Sequence, residues 1–184
     1  MKLETKRLIL RQIKMSDTKD LVEAINNLNI SKWLLAVPYP YTMKDAKWFV
    51  NHAKEKWNEK PITSYEFAVI LKSEDKLIGG TGLSNVDKEQ GTAELGYWIA
   101  EPHWRQGYVR ESTTKLIELA FDKLKLRRLK IPAYKTNQGS NGLAKHLGFT
   151  YEGCLRKAMK CKATGKIHDE NIWGLLKSEW RIRK

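Results

Sequence analysis

Hydrophobic and polar positions alternate over residues 7–13 (RLILRQI), the two-residue period of a half-buried strand. Ser16 follows as a helix-capping residue ahead of Leu21, Val22, Ile25 and Leu28, whose spacing of three and four predicts a helix. After a loop containing Pro38, Tyr39, Pro40 and Tyr41, Thr42 caps a second helix with Ala46, Phe49, Val50, Ala53 and Trp57 on one face. The period then returns to two. Tyr65, Phe67, Val69 and Leu71 alternate in one strand and KLIGGTGLSNV reads as the next. TAELGYWIA is a third, with Ala93, Leu95, Tyr97 and Ile99 on one face. Short turns at 73–76 and 88–91 make these an antiparallel meander, and Gly79, Gly80 and Gly82 predict a bulge or a close backbone approach.

From Gly107 the period becomes helical, with Thr113, Leu116, Ile117, Ala120, Phe121 and Leu124 on one face. Residues 128–133 (RLKIPA) predict a short strand, and 137–147 a helix stopped by Gly148. Residues 151–161 and 166–176 close the chain as a hairpin about a turn near Thr164 and Gly165. The order βααβββαβαββ predicts a single α/β (α+β) domain over residues 1–184, a mostly antiparallel mixed sheet flanked by helices. No repeat, low-complexity tract or Gly/Ser/Pro-rich linker divides it.

Composition narrows the class. A chain of 184 residues can bury one sizeable core, and 30% charged with 41% hydrophobic residues suits a soluble globular protein. There is no run of about eighteen apolar residues to span a membrane. The N-terminus MKLETKRLIL lacks the apolar core and cleavage site of a secretory signal, so a cytoplasmic location is expected. Cys154 and Cys161 stand seven apart in one predicted strand, hence on opposite faces, and no Cys/His cluster accompanies them; neither a disulfide nor a metal site is expected. The formal charge of +13 favours an anionic partner, or is simply a solvated basic surface.

Candidate chemistry gathers where a strand gives way to a helix. The turn at 101–106 leads into Gly107, with Arg105 and Arg110 on either side. A helix N-terminus offers unsatisfied N–H groups and the positive end of a dipole, which suit phosphate. Glycine there lets the backbone approach an anion. Alone, such a glycine is an ordinary turn residue. Here WRQGYVRE opens the helix, and about thirty residues later comes NQGSNGLAKHLGF.

That pair of motifs, on this order of elements, resembles the GNAT superfamily of acetyl-CoA-dependent N-acetyltransferases along essentially the whole chain. LILRQIKMSD is similar to the family's first strand and helix start, AELGYWIAEPHWRQGY to its cofactor strand and pyrophosphate loop, and NQGSNGLAKHLGFTYEG to its Asn-x-x-Ser helix. GKIHDENIWGLLKSEW is similar to the closing strand of the Rim-type subgroup, which acetylates N-termini of ribosomal proteins. The general loop pattern is Gln/Arg-x-x-Gly-x-Gly/Ala. Trp104 takes its first place, as in the Rim-like subgroup; Val109 replaces the small last residue and Arg110 the usual Ser/Thr. Arg110 either pairs with a cofactor phosphate or points into solvent. The resemblance implies acetyl-CoA as cofactor and no metal. It places the cofactor against Trp98, Ile99 and Ala100, the loop residues Arg105, Gln106, Gly107, Tyr108, Val109 and Arg110, and Asn137 and Lys145 on the later helix. Pro132, unsuited to a central strand, is tolerable where the strands splay apart around the pantetheine arm, as in GNAT-like folds.

The implied reaction is direct attack of an amine on the thioester, which needs a base, an oxyanion donor and a proton for the thiolate. Glu94, on the face opposite Leu95 and Tyr97, is the candidate base, or else a salt-bridge partner of a lysine. The oxyanion donor is a backbone N–H near Trp98 or Ile99. Many members carry a tyrosine acid seven residues past the motif asparagine, where this chain has Ala144. In the Rim-like subgroup the motif serine, here Ser140, protonates the thiolate; the alternative is a first-turn residue that satisfies backbone N–H groups. Asn137 is expected to cap that helix and reach the pantetheine arm. Trp33, Tyr39 and Tyr41 either line an acceptor cleft or pack, and His168 with Asp169 matches a His-Asp pair of the subgroup's closing strand.

The leading expectation for the acceptor is the α-amino group of a protein N-terminus, with a ribosomal or other anionic partner. A small amine such as a polyamine or aminoglycoside is the second. A non-catalytic basic nucleic-acid-binding protein is the third, and no recognisable nucleic-acid motif supports it. Monomer and homodimer are both compatible with the sequence.

Overall fold

The computed structural model describes residues 1–182, with side chains through Trp180. An eight-stranded sheet runs in the order β1-β2-β3-β4-β5-β6-β8-β7. Its strands are β1 (Lys2–Glu4), β2 (Leu8–Arg11), β3 (Tyr65–Leu71), β4 (Lys76–Asp87), β5 (Thr92–Ile99), β6 (Arg128–Tyr134), β7 (Thr150–Lys160) and β8 (Ile167–Leu176). Every neighbouring pair is antiparallel except β5 and β6. Helices α1 (Thr18–Ile25), α2 (Leu28–Ser31) and α3 (Met43–Asn58) cover one face; α4 (Tyr108–Glu118) and α5 (Gln138–His146) serve the other, and α6 (Lys177–Ile182) follows β8.

The predicted α+β sheet and its order stand, with three additions: β1, the separate α2, and α6. The expected first helix differs in two respects. Ser16 does not cap it; a 3-10 turn, Met15–Asp17, leads into it, and the Asp17 carboxylate holds that turn, accepting from the Lys14 amide at 2.7 Å while pairing with Arg11 at 2.7 Å. Leu28 does not continue it, because the chain breaks at Asn26 and Asn27 and the Asn27 side chain caps α2 instead. Elsewhere local chemistry works as the sequence predicts. Thr42 and Asp45 form a reciprocal capping box on α3, and Asn137 Oδ1 accepts from the Ser140 amide at 3.1 Å to cap α5. Gly148, at φ +88°, terminates α5 in the left-handed region that favours glycine.

Two apolar layers hold the sheet. Leu8, Leu10, Phe67, Leu83, Leu95, Leu116 and Phe121 pack on the α4–α5 side, while Leu21, Ile25, Ile30, Ala46, Ala68 and Ile70 fill the α1–α3 side. Full burial of a side chain such as Phe121 contributes about 1.5–3 kcal/mol. The glycines of β4 make both predicted features. Ile78 is an extra residue against β3, where the register shifts between Val69 and Ile70, and a Cβ at Gly79 would stand 2.4 Å from the Trp98 carbonyl oxygen. Cys154 and Cys161 are both free thiols. Among the described residues, no helix is long and apolar enough to cross a membrane, and no cluster of ligating side chains could hold a metal ion.

Candidate active site

β5 and β6 pair only over Thr92–Glu94 and Arg128–Lys130, then diverge. Pro132 lies beyond the last pair, so its missing N–H interrupts no ladder with β5. The gap opens into a cavity of about 890 Å³. The splay thus brings together residues distant in sequence: Trp33, Glu94, Trp98, Ile99, Arg105, Gly107, Tyr108, Val109, Arg110, Asn137 and Ser140 all line it.

The loop at one end is shaped for an anion. Gly107 caps α4 at φ +81°, Arg105 also has positive φ (60°), and no side chain caps the helix. The Glu111 amide takes the Gly107 carbonyl, leaving the first-turn amides facing the cavity mouth. Arg7 braces the loop: it pairs with Glu111 at 2.6 Å, donates to the Gln106 carbonyl at 2.9 Å and stacks 4.3 Å over the Tyr108 ring. Burial pushes the Glu111 carboxyl up, but hydrogen bonds from the Thr5 hydroxyl and from the Arg7 amide and guanidinium hold it below the usual carboxylate range. Trp104 steadies the turn from the other side, its indole donating to the Ile99 carbonyl at 2.7 Å. Arg110 and Arg105 have no anionic partner among the described residues and line the cavity, so both are available to phosphate.

Along β5 the two faces divide the chemistry. Glu94, Gly96 and Trp98 share the α1–α3 face, and Glu94 pairs with Lys130 at 2.7 Å. The lysine partnership foreseen as the plain alternative for Glu94 therefore exists, at the cavity wall. Glu170, buried on β8, stands in the same electrostatic group: burial and Glu94 push its carboxyl up while Lys130 draws it down. On the opposite face Tyr97 reaches the motif serine, hydroxyl to hydroxyl at 2.9 Å. Burial pushes the Tyr97 phenol up to about 12, against the Ser140 bond, so it stays protonated at any working pH. Asn137, not Ser140, caps α5, which leaves the Ser140 hydroxyl to the cavity.

Backbone alternation shows which β5 amides are left free of β4, and so which fit the expected oxyanion donor. The Ala100 amide donates to Ile78 at 2.8 Å and the Gly96 carbonyl accepts from the Thr81 hydroxyl, so even-numbered backbone groups face β4. Tyr97 and Ile99 direct their amides into the gap. Trp98 contributes its ring instead, against Gly80.

Other expected residues lie elsewhere. Ala100 is buried with its amide engaged, Gln106 turns back to the Pro102 carbonyl at 3.0 Å, and Lys145 is exposed outside the cavity lining. Of the three loop aromatics, Trp33 lines the large cavity, Tyr41 a second one, and Tyr39 neither. His168 stacks on Tyr134 at 4.4 Å, also outside it. Sequence reasoning passed over Tyr97, Glu170 and Glu66. Tyr97 was hidden among core residues of the alternating strand; the carboxylates were legible only as polar residues inside apolar strands.

Comparison with known proteins agrees with this geometry. Residues 7–150 match the acetyltransferase (GNAT) domain. The chain is 30% identical over 178 residues to the uncharacterized N-acetyltransferase p20 of Bacillus licheniformis, across 97% of each chain. It is 35% identical over 94 residues to the ribosomal-protein-serine acetyltransferase of Escherichia coli, over 51% of this chain and 52% of that one. The fold matches the microcin C7 self-immunity acetyltransferase MccE, whose structure is in complex with acetyl-CoA and AMP, with a TM-score of 0.82 at 24% identity over 94% of this chain and 93% of that one. An open helix N-terminus beside arginines without an anionic partner among the described residues, with a splayed strand pair, suits a pyrophosphate and an extended arm, the shape of acetyl-CoA. The chain belongs to the GNAT family and is an acetyl-CoA-dependent N-acetyltransferase.

Proposed function

We propose that the enzyme acetylates the α-amino group of a protein N-terminus by direct transfer. The observation that carries this reading is the Ser140–Tyr97 hydroxyl pair facing a wide, open cleft, joined to the likeness to the ribosomal-protein-serine acetyltransferase over half the chain. Acetyl-CoA supplies the activated acyl group. The α4 N-terminus with Arg105 and Arg110 holds its phosphates, and Asn137 flanks its arm. Glu94, fixed by Lys130, takes the proton of the incoming ammonium through water. The Ile99 and Tyr97 amides face the developing oxyanion. Ser140 gives its proton towards the departing sulfur; its hydroxyl lies 2.9 Å from that of Tyr97, and with Tyr97 as the donor the serine hydrogen is free to point outward.

A screen of N-terminal peptides against polyamines and aminoglycosides, followed by thiol release and mass of the product, tests the reading. Acetylated peptide α-amines are expected. Release with polyamines alone would overturn it. Thermal shift with acetyl-CoA reports cofactor binding independently of the acceptor.

A further inference from the structure

A second cavity, of about 340 Å³, lies between the sheet and α1–α3 and meets the first along Gly96, Tyr97 and Trp98. Its walls are chiefly apolar, including Leu21, Ile25, Phe49 and Trp98, yet Glu66 of β3 lines it. The strand register explains how that carboxylate reaches the reaction. Glu66 pairs with Gly82 and Gly82 pairs with Gly96, so one row across three strands carries a single side chain. The Glu66 carboxylate lies over Gly82, occupying the place of the absent side chain: a Cβ there would stand 2.5 Å from Oε2. Beyond it, a Cβ at Gly96 would meet nothing within 4 Å. A trough therefore runs from Glu66 to β5, and Gly96 is about one strand spacing, roughly 4.8 Å, past Gly82.

The carboxylates on this face are not equivalent: Glu170, like Glu94, feels the charge of Lys130, and Glu66 is the one that lines the second cavity. Glu94 is paired with Lys130. Glu66 has one side-chain partner, the Ser64 hydroxyl at 3.0 Å, and no cation among the described residues. Burial pushes its carboxyl above the usual range, with the Ser64 bond opposing. A carboxylate at the edge of an apolar cavity, short of a positive charge and open towards the reacting strand, is a seat for a cation brought by a ligand.

We propose that Glu66 is the acceptor-binding carboxylate, holding the ammonium of a singly charged amine over the Gly82–Gly96 trough while the acceptor's apolar body fills the chamber behind it. The proposal rests on the N-acetyl-transfer reading above and narrows its substrate class. A single uncompensated carboxylate among apolar walls suits one ammonium. Polyamines and aminoglycosides bring several and would leave the others unpaired against Leu21, Ile25 and Phe49. For a protein acceptor, this selects an N-terminus whose first side chain is compact and apolar.

The test compares wild-type enzyme and Glu66→Gln with acetyl-CoA and short peptides beginning with alanine, valine or lysine, and with spermidine. Gln is isosteric and can still accept from Ser64, so the fold is preserved; equal or higher melting temperature and an unchanged acetyl-CoA dissociation constant will show this. The expected result is an acceptor KM raised about tenfold or more with kcat changed far less, and wild-type preference for alanine or valine peptides. A second variant, Gly96→Leu, fills the trough without removing charge and is expected to raise the same KM. If the wild type acetylates peptides but Glu66→Gln keeps the wild-type acceptor KM, the assignment of Glu66 is wrong and the transfer reading stands. If no amine yields free thiol although acetyl-CoA binds, the transfer reading fails and takes this inference with it. Preference for spermidine over every peptide overturns the proposed substrate class.

Discussion

Ser140 and Tyr97 meet hydroxyl to hydroxyl from two separate elements, and the proposed proton donation by Ser140 sets different consequences for losing either group. Ser140→Ala removes the proposed proton donor and should lower kcat by about a hundredfold, within the range for general acid catalysis. Tyr97→Phe leaves Ser140 in place but without its orienting donor, and should lower kcat by roughly tenfold with little change in either KM. Because the Tyr97 phenol is pushed up to about 12, the wild-type rate should show no Tyr97-dependent fall between pH 8 and about 10. Equal losses in the two variants would mean that the tyrosine donates to sulfur itself.

Titrating carboxyls at the same scale pull stability in opposite directions. Glu111 and Asp17 are held below the usual range by their partners despite burial, so the folded state binds fewer protons there than the unfolded chain. Their stabilisation is present above about pH 4, the unfolded carboxylate range, and is lost as pH falls through the lower folded values. Glu66 is raised by burial and has the opposite sign: its contribution is complete below about pH 4 and becomes a penalty as pH rises through the folded value. Glu66→Gln should therefore melt above wild type at pH 7–8, with the difference closing near pH 4, as measured by differential scanning fluorimetry. Glu111→Ala should do the reverse, losing about 1–2 kcal/mol at neutral pH and weakening acetyl-CoA binding, since it removes the ion pair that fixes Arg7 against the loop before α4.

At the scale of elements, the β4 glycines let the sheet approach itself so closely that β5 can carry the site. A methyl group at Gly79 would meet the Trp98 carbonyl, which is backbone and cannot yield; at Gly80 it would meet the Trp98 indole at 2.6 Å, which can turn. Gly79→Ala should thus unfold the protein or lower its melting temperature severely, while Gly80→Ala should cost less in stability and more in acceptor KM, because the displaced indole walls both cavities. Denaturation curves and steady-state kinetics on the pair separate the two outcomes. These elements were largely legible in the sequence, where periodicity and caps are local: Thr42, Asn137, Gly107 and Gly148 act where the pattern placed them. What escaped was set by pairing across the sheet. Asp17 reveals its role in bracing the turn before α1 only once Arg11 is beside it, and Glu66 becomes part of a trough only when register aligns it with Gly82 and Gly96. Likewise the Tyr97 hydroxyl meets Ser140 from a strand distant in sequence.

Across the whole molecule, the charge of +13 admits two physical roles, and a pair of variants distinguishes them. A diffuse positive field would speed encounter with an anionic cofactor irrespective of which lysine or arginine supplies it. A local site would depend on the arginines at the α4 N-terminus. Arg110→Glu and Lys88→Glu change the net charge equally, but Arg110 lines the large cavity proposed to hold the cofactor while Lys88 lies exposed in the β4–β5 turn, at the opposite end of β5. With the Debye length about 10 Å at 0.1 M salt, the distant charge is mostly screened from the site and the near one is not. At low salt, kcat/KM for acetyl-CoA should fall about tenfold in Arg110→Glu and stay within about twofold of wild type in Lys88→Glu, with kcat little changed in both. Raising ionic strength should lower the wild-type kcat/KM and narrow its advantage over Arg110→Glu without abolishing it, because direct phosphate contact outlasts screening. Equal losses in the two variants would instead assign the charge to the overall field.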